Sequence, residues 1–371
     1  MVWNWQLPDW PRFSWNEARL VEAEREFLIG GGVFFGMTRH FAGSDSDELT
    51  VEALSMEAVT TSEIEGEILD RASVQSSIRR QLGLAGSRRS VKPAERGIAE
   101  MMVDLYRSSA EPLTHERLFT WHRLLIAERR DIDDVGRYRT HTDPMQVVSG
   151  PLHRPKVHFE APLSADVPLE MDRFIVWFNR TAPGGSGALP AVTRSGIAHL
   201  YFVSIHPFED GNGRIGRAVA EKALAQGSGR PTLNALAATI LSRRNAYYDA
   251  LEGNGASNEI TPWLAWYAST AIEAQRRTIA LVQFVIDKTR LLEQLSDRLN
   301  PRQEKALLRM LREGPGGFSG GLSAGNYVSI TKAATATATR DLAELVGMGA
   351  LVRTGERRHA RYHLAIPLRP V

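Results

Sequence analysis

Apolar residues recur at helical spacing along most of the chain, and strand-like alternation is confined to short stretches. From Asn16 to about Phe41 and from Ser46 to Glu65 the apolar positions fall three and four apart, which predicts two helices. Residues 67 to 112 read as further helices, with Pro93 at a helix start and Ile98, Met101, Met102 and Leu105 as an apolar stripe. Leu113 to Ile126 is amphipathic, with Thr114 as N-cap. Leu169 to Phe178, Ile240 to Leu251 and Trp263 to about Asp297 are predicted helical as well, the last with an apolar surface able to support a dimer. The fold class expected is mainly α. Gly136 to Pro162 is irregular, and Val147, Val148, Val157 and Phe159 around Ser149-Gly150-Pro151 predict a short hairpin with a long turn.

Two stretches read as packing devices. Trp3, Trp5, Trp10, Phe13 and Trp15 alternate with Pro8 and Pro11, so residues 3 to 15 form an extended arm whose indoles pack across the body. Gly30-Gly31-Gly32 lacks both a preceding strand and a Gly-Lys-Ser/Thr ending, so it marks close helix packing or a kink and no nucleotide loop. His115 and His122, on one helix, read as structural.

A length of 371 residues predicts two or three domains, and 43% hydrophobic with 24% charged residues describes an ordinary globular protein. The absence of cysteine removes disulfides and thiolate chemistry. No basic-then-apolar leader and no apolar run of about 18 residues is present, so a soluble, cytoplasmic protein is expected, with no membrane partner. The net charge of +2 is unevenly spread: residues 301 to 371 hold 11 Lys and Arg against 5 Asp and Glu, which makes that end +6 and the rest −4. A basic end points to nucleic acid.

The chemistry concentrates in His206-Pro207-Phe208-Glu209-Asp210-Gly211-Asn212-Gly213-Arg214-Ile215-Gly216-Arg217, between two apolar helical segments. Gly211 and Gly213 allow a sharp turn and a close approach, and a helix starting near Asn212 aims free N–H groups at an anion. Arg214 and Arg217, three apart, share one side of the first turns and suit phosphate oxygens. Asp210 is a hard ligand for a magnesium ion shared with phosphates. His206 ends the preceding helix, where the dipole favours imidazolium and so strengthens the ring as a base.

This run resembles the Fic family motif His-x-Phe-x-Asp/Glu-Gly-Asn-Gly-Arg-x-x-Arg at every defined position. The resemblance implies a Fic-type helical bundle with a small β-hairpin flap, and a protein adenylyltransferase that moves AMP from ATP to a Ser, Thr or Tyr hydroxyl of a target protein. It implies His206 as general base, Asp210 as the Mg2+ ligand, and Phe208 as a core anchor. Gly211, Asn212, Gly213, Arg214, Gly216 and Arg217 would bind ATP. The kinase branch of the fold carries Lys at the place of Gly213, so glycine there bears on the choice of donor. Thr61, Glu65 and Gly66 fit a second Fic signature, Ser/Thr-x-x-x-Glu-Gly/Asn, which implies an inhibitory helix near 50 to 66 whose Glu65 pairs with Arg217 in place of the γ-phosphate. Tyr247, Tyr248 and Asn254 resemble residues that surround the adenine. Val147, Val148, Ser149 and Gly150 correspond to a flap that adds a strand to the target. Read on their own, these residues leave core tyrosines and a merely structural hairpin open.

The expected division is a helical extension over 1–112, a Fic core over 113–275, a linking helix over 276–298 and a separate module over 299–371. In that module a helix over Gln303–Leu311 precedes a Gly-rich loop at 314 to 325. A helical region opening at Thr331 to Ala333, a helix over Thr335–Leu345, and two strands around Gly355-Glu356-Arg357-Arg358 follow. This resembles a winged helix-turn-helix, with Thr337, Thr339 and Arg340 on a recognition helix and Arg357, Arg358 and Arg361 on the wing. Partners implied are a hydroxyl-bearing target protein, the chain itself as an acceptor, a second copy in a homodimer, and DNA through 299–371. Two alternatives stand beside the transferase: a DNA-binding regulator that uses the Fic fold as a nucleotide sensor, and a de-AMPylase that uses the same site.

Overall fold

The computed structural model describes residues 2–39, 41, 43–84, 91–127, 129–150, 155–314, 317–318 and 320–366. Among them the chain is mainly helical, with two small antiparallel hairpins. It divides into two compact units, one of residues 1–33 with 50–276 and the other of residues 34–49 with 277–371.

In the first unit, α1 (Val21–Thr38) and α2 (Ser44–Ile64), which both begin or end in the second unit, are followed by α3 (Arg71–Gln81) and α4 (Pro93–Arg107). The starts of α3 and α4 are tied together. Asp70 caps α3 by accepting from Ser73 N at 2.8 Å, and buried Glu95 accepts from Lys92 N at 2.8 Å in the first turn of α4 and from Asp70 N at 3.3 Å. Thr114 caps α5 (His115–Ile126) through Arg117 N. Gly30 is explained by packing: a Cβ there would lie 1.9 Å from Gln275 Oε1, while Gln275 donates to the Phe27 carbonyl at 2.9 Å.

The hairpin of β1 (Gln146–Ser149) and β2 (Lys156–Glu160) pairs Val147 with Phe159 and Val148 with Val157, with a bulge between Val147 and Val148. The tip of its turn, including Pro151, lies outside the described residues. The N-terminal arm braces β2. It holds a 3-10 turn at Asn4–Gln6 where an extended segment was expected, because the Trp3 and Asn4 carbonyls accept the N–H groups of Gln6 and Leu7. Trp3 meets Phe159 edge to face at 5.3 Å, Trp5 Nε1 donates to the Glu160 carbonyl at 2.6 Å, and Trp10 Nε1 donates to Glu170 at 2.8 Å.

The centre of this unit is a pair of helices, α7 (Ala191–Ile205) and α8 (Asn212–Ser228), with α6 (Val167–Arg180) beside α7. Every residue of α7 except Val203 is buried, the polar Thr193, Arg194, Ser195, His199 and Ser204 included. Its core includes Phe174, Phe178, Tyr201, Phe202, Ile205, Phe208 and Ile215. The single helix expected over Ile240–Leu251 is two, α9 (Leu236–Ser242) and α10 (Arg244–Gly253), because Arg243 leaves helical geometry at φ −127°, ψ 33°. The long helix α11 (Thr261–Gln294) runs from this unit into the second.

The second unit holds α12 (Pro301–Leu311), α13 (Ala324–Thr331), α14 (Thr335–Gly347), β3 (Leu351–Thr354) and β4 (Arg361–Leu364) around Leu307, Met310, Leu322, Tyr327, Leu342, Leu345 and Tyr362. The helix α13 takes in only residues 324 and 325 of the stretch read from sequence as a Gly-rich loop, and it stops at Thr331, where a helix was expected to begin. Ser323 caps it through Asn326 N, and Tyr327, fully buried, supplies its core contact. Positions 315, 316 and 319 of that loop lie outside the described residues. No described helix is long and apolar enough to cross a membrane.

Candidate active site

The site is the corner between α7 and α8. His206 ends α7 in left-handed geometry, φ 52° and ψ 58°, its N–H bonded to the Phe202 carbonyl, and Pro207 then blocks further helix. Gly211, at φ 84°, starts α8. Between them Phe208 is fully buried and stacks flat on His122, ring centres 4.2 Å apart. The Asn212 side chain clamps the loop: it accepts from Phe208 N at 3.0 Å and donates to the Phe208 carbonyl at 2.7 Å. Its amide group is thus committed to the turn, and what Asn212 offers an anion is its main-chain N–H at the start of α8.

His206 Nδ1 lies 3.3 Å from the Val203 carbonyl, so the Nδ1–H tautomer leaves Nε2 with its lone pair. Burial drives the ring's pKa down to about 4, opposed by the Val203 carbonyl, Glu65 and Asp210 and reinforced by Arg139. The helix end was expected to strengthen this base. A dipole effect of about 1 kcal/mol does not offset a desolvation effect of roughly 3 kcal/mol.

Arg217 is buried, and its Nη2 donates to Glu65 Oε1 at 2.7 Å and to the Thr61 carbonyl at 2.9 Å, with Nε on Thr61 Oγ1 at 2.7 Å. Burial opposes its charge, yet Glu65 and then Tyr247 prevail and its pKa is raised. Gly213 is what lets Glu65 in: a Cβ there would stand 2.2 Å from Oε1 of Glu65. A Cβ at Gly216 would meet Val203 at 3.0 Å, so that glycine serves the contact of α8 with α7. Arg214, also buried, pairs with Glu67 at 2.7 Å and lies 3.6 Å from Asp210.

Asp210 accepts from Gly211 N through Oδ1 and pairs with Arg129 at 2.8 Å through Oδ2. Among the described residues no group of three or more His, Asp or Glu is arranged to hold a metal. A lone carboxylate beside a glycine turn still suits a magnesium ion that takes most of its shell from phosphates and water.

The remaining expected residues lie on α10 or at its end and on the 146–149 strand and its turn. Tyr247 is buried, with its hydroxyl 2.9 Å from His199 Nε2, and Tyr248 is the exposed one of the pair, its ring under Arg244. Asn254 caps α10 and donates to the Ala250 carbonyl at 2.8 Å. Val147, Val148, Ser149 and Gly150 are all exposed on the hairpin. There Ser149 bonds His158, and His158 and Lys156 in turn bond Glu252 of α10 at 2.7 and 3.0 Å.

Arg139 was missed in the sequence. Almost wholly buried and without a carboxylate partner among the described residues, it donates to the His206 carbonyl at 2.9 Å, to Ser164 Oγ at 2.7 Å and to the Pro162 carbonyl, while its N–H bonds the Pro207 carbonyl at 3.0 Å. It joins the exit of β2 to the His206 turn, and burial lowers its pKa to about 10. The signal for it, Gly136-Arg137-Tyr138-Arg139, gave no hint of which arginine turns inward.

Residues 112–224 match the Fic/DOC family model, and residues 3–84 match a domain of unknown function (DUF4172). The chain is 32% identical over 115 residues to Protein adenylyltransferase Fic of Drosophila yakuba and 33% identical over 115 residues to that of Drosophila grimshawi. Each alignment takes in 30% of this chain and 21% or 22% of the relative, so the chain spans about a fifth of their length. Among solved structures, a Fic family protein from Desulfovibrio desulfuricans has a TM-score of 0.51 at 21% identity, covering 92% of this chain and 95% of that one. A Fic domain containing signaling protein from Bacteroides thetaiotaomicron has 0.52 at 18%, covering 70% and 98%. These two share the fold. The family match itself places a Fic/DOC domain over residues 112–224, across the His206 corner.

Proposed function

We propose that this chain is an autoinhibited protein adenylyltransferase. The observation that carries the reading is the Arg217–Glu65 pair at 2.7 Å, a carboxylate seated on the cation that an outer phosphate needs. Names of the curated relatives support AMP transfer in general. The acceptor is a hydroxyl side chain of a protein, presented along the exposed edge of the 146–160 hairpin.

ATP lies across the Gly211–Gly213 turn with Arg214 and Arg217 on its outer phosphates. His206 Nε2 takes the hydroxyl proton as that oxygen bonds to the α-phosphorus, the bond from the α-phosphorus to the bridging oxygen breaks, and pyrophosphate leaves. Main-chain N–H groups at the start of α8 stabilise the charge that grows on the α-phosphate. Asp210 is the residue that would hold magnesium, whose chemistry is to neutralise phosphate charge, and Arg129 gives way to it. Tyr248 and Asn254 flank the base, while Tyr247 supports them from the core. Glu65 holds the resting state.

With α-labelled ATP and magnesium, the full chain labels protein weakly, Glu65→Gly labels it strongly, and His206→Ala in that background labels nothing. Silence of Glu65→Gly on a cell extract would end this reading. Release of AMP from a labelled target, dependent on Glu65, would turn it toward de-AMPylation.

A second activity is proposed for residues 299–371. The exposed side of α14 carries Thr339 and Arg340, and Arg353 and Arg357 are exposed on the hairpin beyond it, with Arg361 half-buried; the side chain of Arg358 lies outside the described residues. A helix followed by a basic hairpin suits a winged-helix contact with DNA. A labelled duplex shifted in a salt-sensitive way supports it, and retention of binding after Arg340→Ala with Arg357→Ala opposes it.

A further inference from the structure

Glu65 and Glu67 stand on either side of Gly66, and they reach two different arginines of one helix. The end of α2 rolls into a compact turn in which Glu65 N and Glu67 N both bond the Ser62 carbonyl, at 3.1 and 3.0 Å, and Gly66 N bonds the Glu63 carbonyl at 3.0 Å. Gly66 takes φ 86°, and a Cβ there would meet nothing, so glycine is needed for the backbone angle alone. That reversal directs Glu65 to Arg217 and Glu67 to Arg214, each at 2.7 Å. Both guanidiniums are only 4% exposed, against 31% and 36% for the two carboxylates. Each keeps one nitrogen, Arg217 Nη1 and Arg214 Nε, without a hydrogen-bond partner among the described residues.

We propose that Glu67 is a second brake, acting on Arg214 as Glu65 acts on Arg217, and that both are released together when the turn at Gly66 opens. An anion bound at the start of α8 has to displace two carboxylates, one for each arginine three residues apart on the helix. A buried guanidinium tolerates loss of its partner poorly, so each carboxylate leaves only as a phosphate arrives. Removing Glu65 alone therefore releases half of the site. Among the described residues Arg214 has one other acid in range, Asp210 at 3.6 Å.

The inference takes its biological meaning from the transferase reading, and its test is a binding measurement that does not depend on transfer. A non-transferable ATP analogue with a methylene between α- and β-phosphorus is titrated, with magnesium, into the full chain. Wild type, Glu67→Gln, Glu65→Gly and the double variant are compared. Glu67→Gln tightens binding about tenfold in either background. Gly66→Ala, which strains the shared turn, tightens it as much as the double variant does. Unchanged or weaker binding after Glu67→Gln, in both backgrounds, overturns the proposal and makes Glu67 a support that holds Arg214 in place. Should Glu67→Gln fail to fold, Glu67→Asp keeps the charge and withdraws it by one methylene, with the same tightening expected and the same overturning result. If Glu65→Gly shows no transfer while Glu67→Gln still tightens the nucleotide, the transferase reading falls and the second brake stands.

Discussion

A methyl group on Gly213 would lie 2.2 Å from Oε1 of Glu65, closer than any real carbon and oxygen approach without bonding. The glycine therefore admits the carboxylate. Gly213→Ala should expel Glu65 from Arg217 and raise labelling from α-labelled ATP toward that of Glu65→Gly, with no further gain when the two are combined. Labelling at the wild-type level in Gly213→Ala would show that the contact does not restrain the site.

His206 must be neutral to accept a proton, and burial holds its pKa near 4, against an ordinary value of about 6.5. The acid side of the rate profile, measured as kcat/KM in Glu65→Gly, should therefore fall only as the pH approaches 4. Loss of Glu65, whose charge raises the value, moves the limb lower still. A limb centred near pH 6.5 would mean that the ring is solvated in the working enzyme, or that another base acts.

Arg139 fastens the His206 carbonyl, Pro162 and Ser164 with one guanidinium. Arg139→Met leaves those acceptors without their donor and should cost roughly 3 kcal/mol in denaturant unfolding. Transfer should drop much further than nucleotide affinity does, with partial recovery in Arg139→Lys. Equal losses in affinity and transfer would assign the residue to stability alone.

Glu221 is held up to about 7 by burial, opposed by hydrogen bonds from Thr232 and Asn234. Its folded pKa exceeds its unfolded one, so its contribution is full below pH 4.5 and is lost as pH rises through 7. That amounts to at most roughly 3 kcal/mol. Half-buried Glu57, also raised chiefly by desolvation, acts in the same direction. Urea unfolding at pH 5, 6, 7 and 8 should show stability falling more steeply in wild type than in Glu221→Gln. Parallel curves would place the titration elsewhere.

Glu65 and Arg217 are 152 positions apart, and what brings them together is the packing of residues 50–65 and α8 in one unit. The sequence by itself determined the order of chemistry along the His206–Arg217 run, the helical nature of most of the chain, and the glycines and prolines that end or start its helices. These properties are local: spacing of three and four, caps, and backbone angles act within a few residues. Tertiary structure alone decided which of several similar residues do the work. Arg139 turns inward and Arg137 does not, Tyr247 joins the core while Tyr248 faces out, and Glu67 meets Arg214 where the sequence offered only an acidic residue after a glycine. It also set the sign of the shift at His206, because the cost of desolvating a charge depends on everything packed around it, and no stretch of sequence carries that sum.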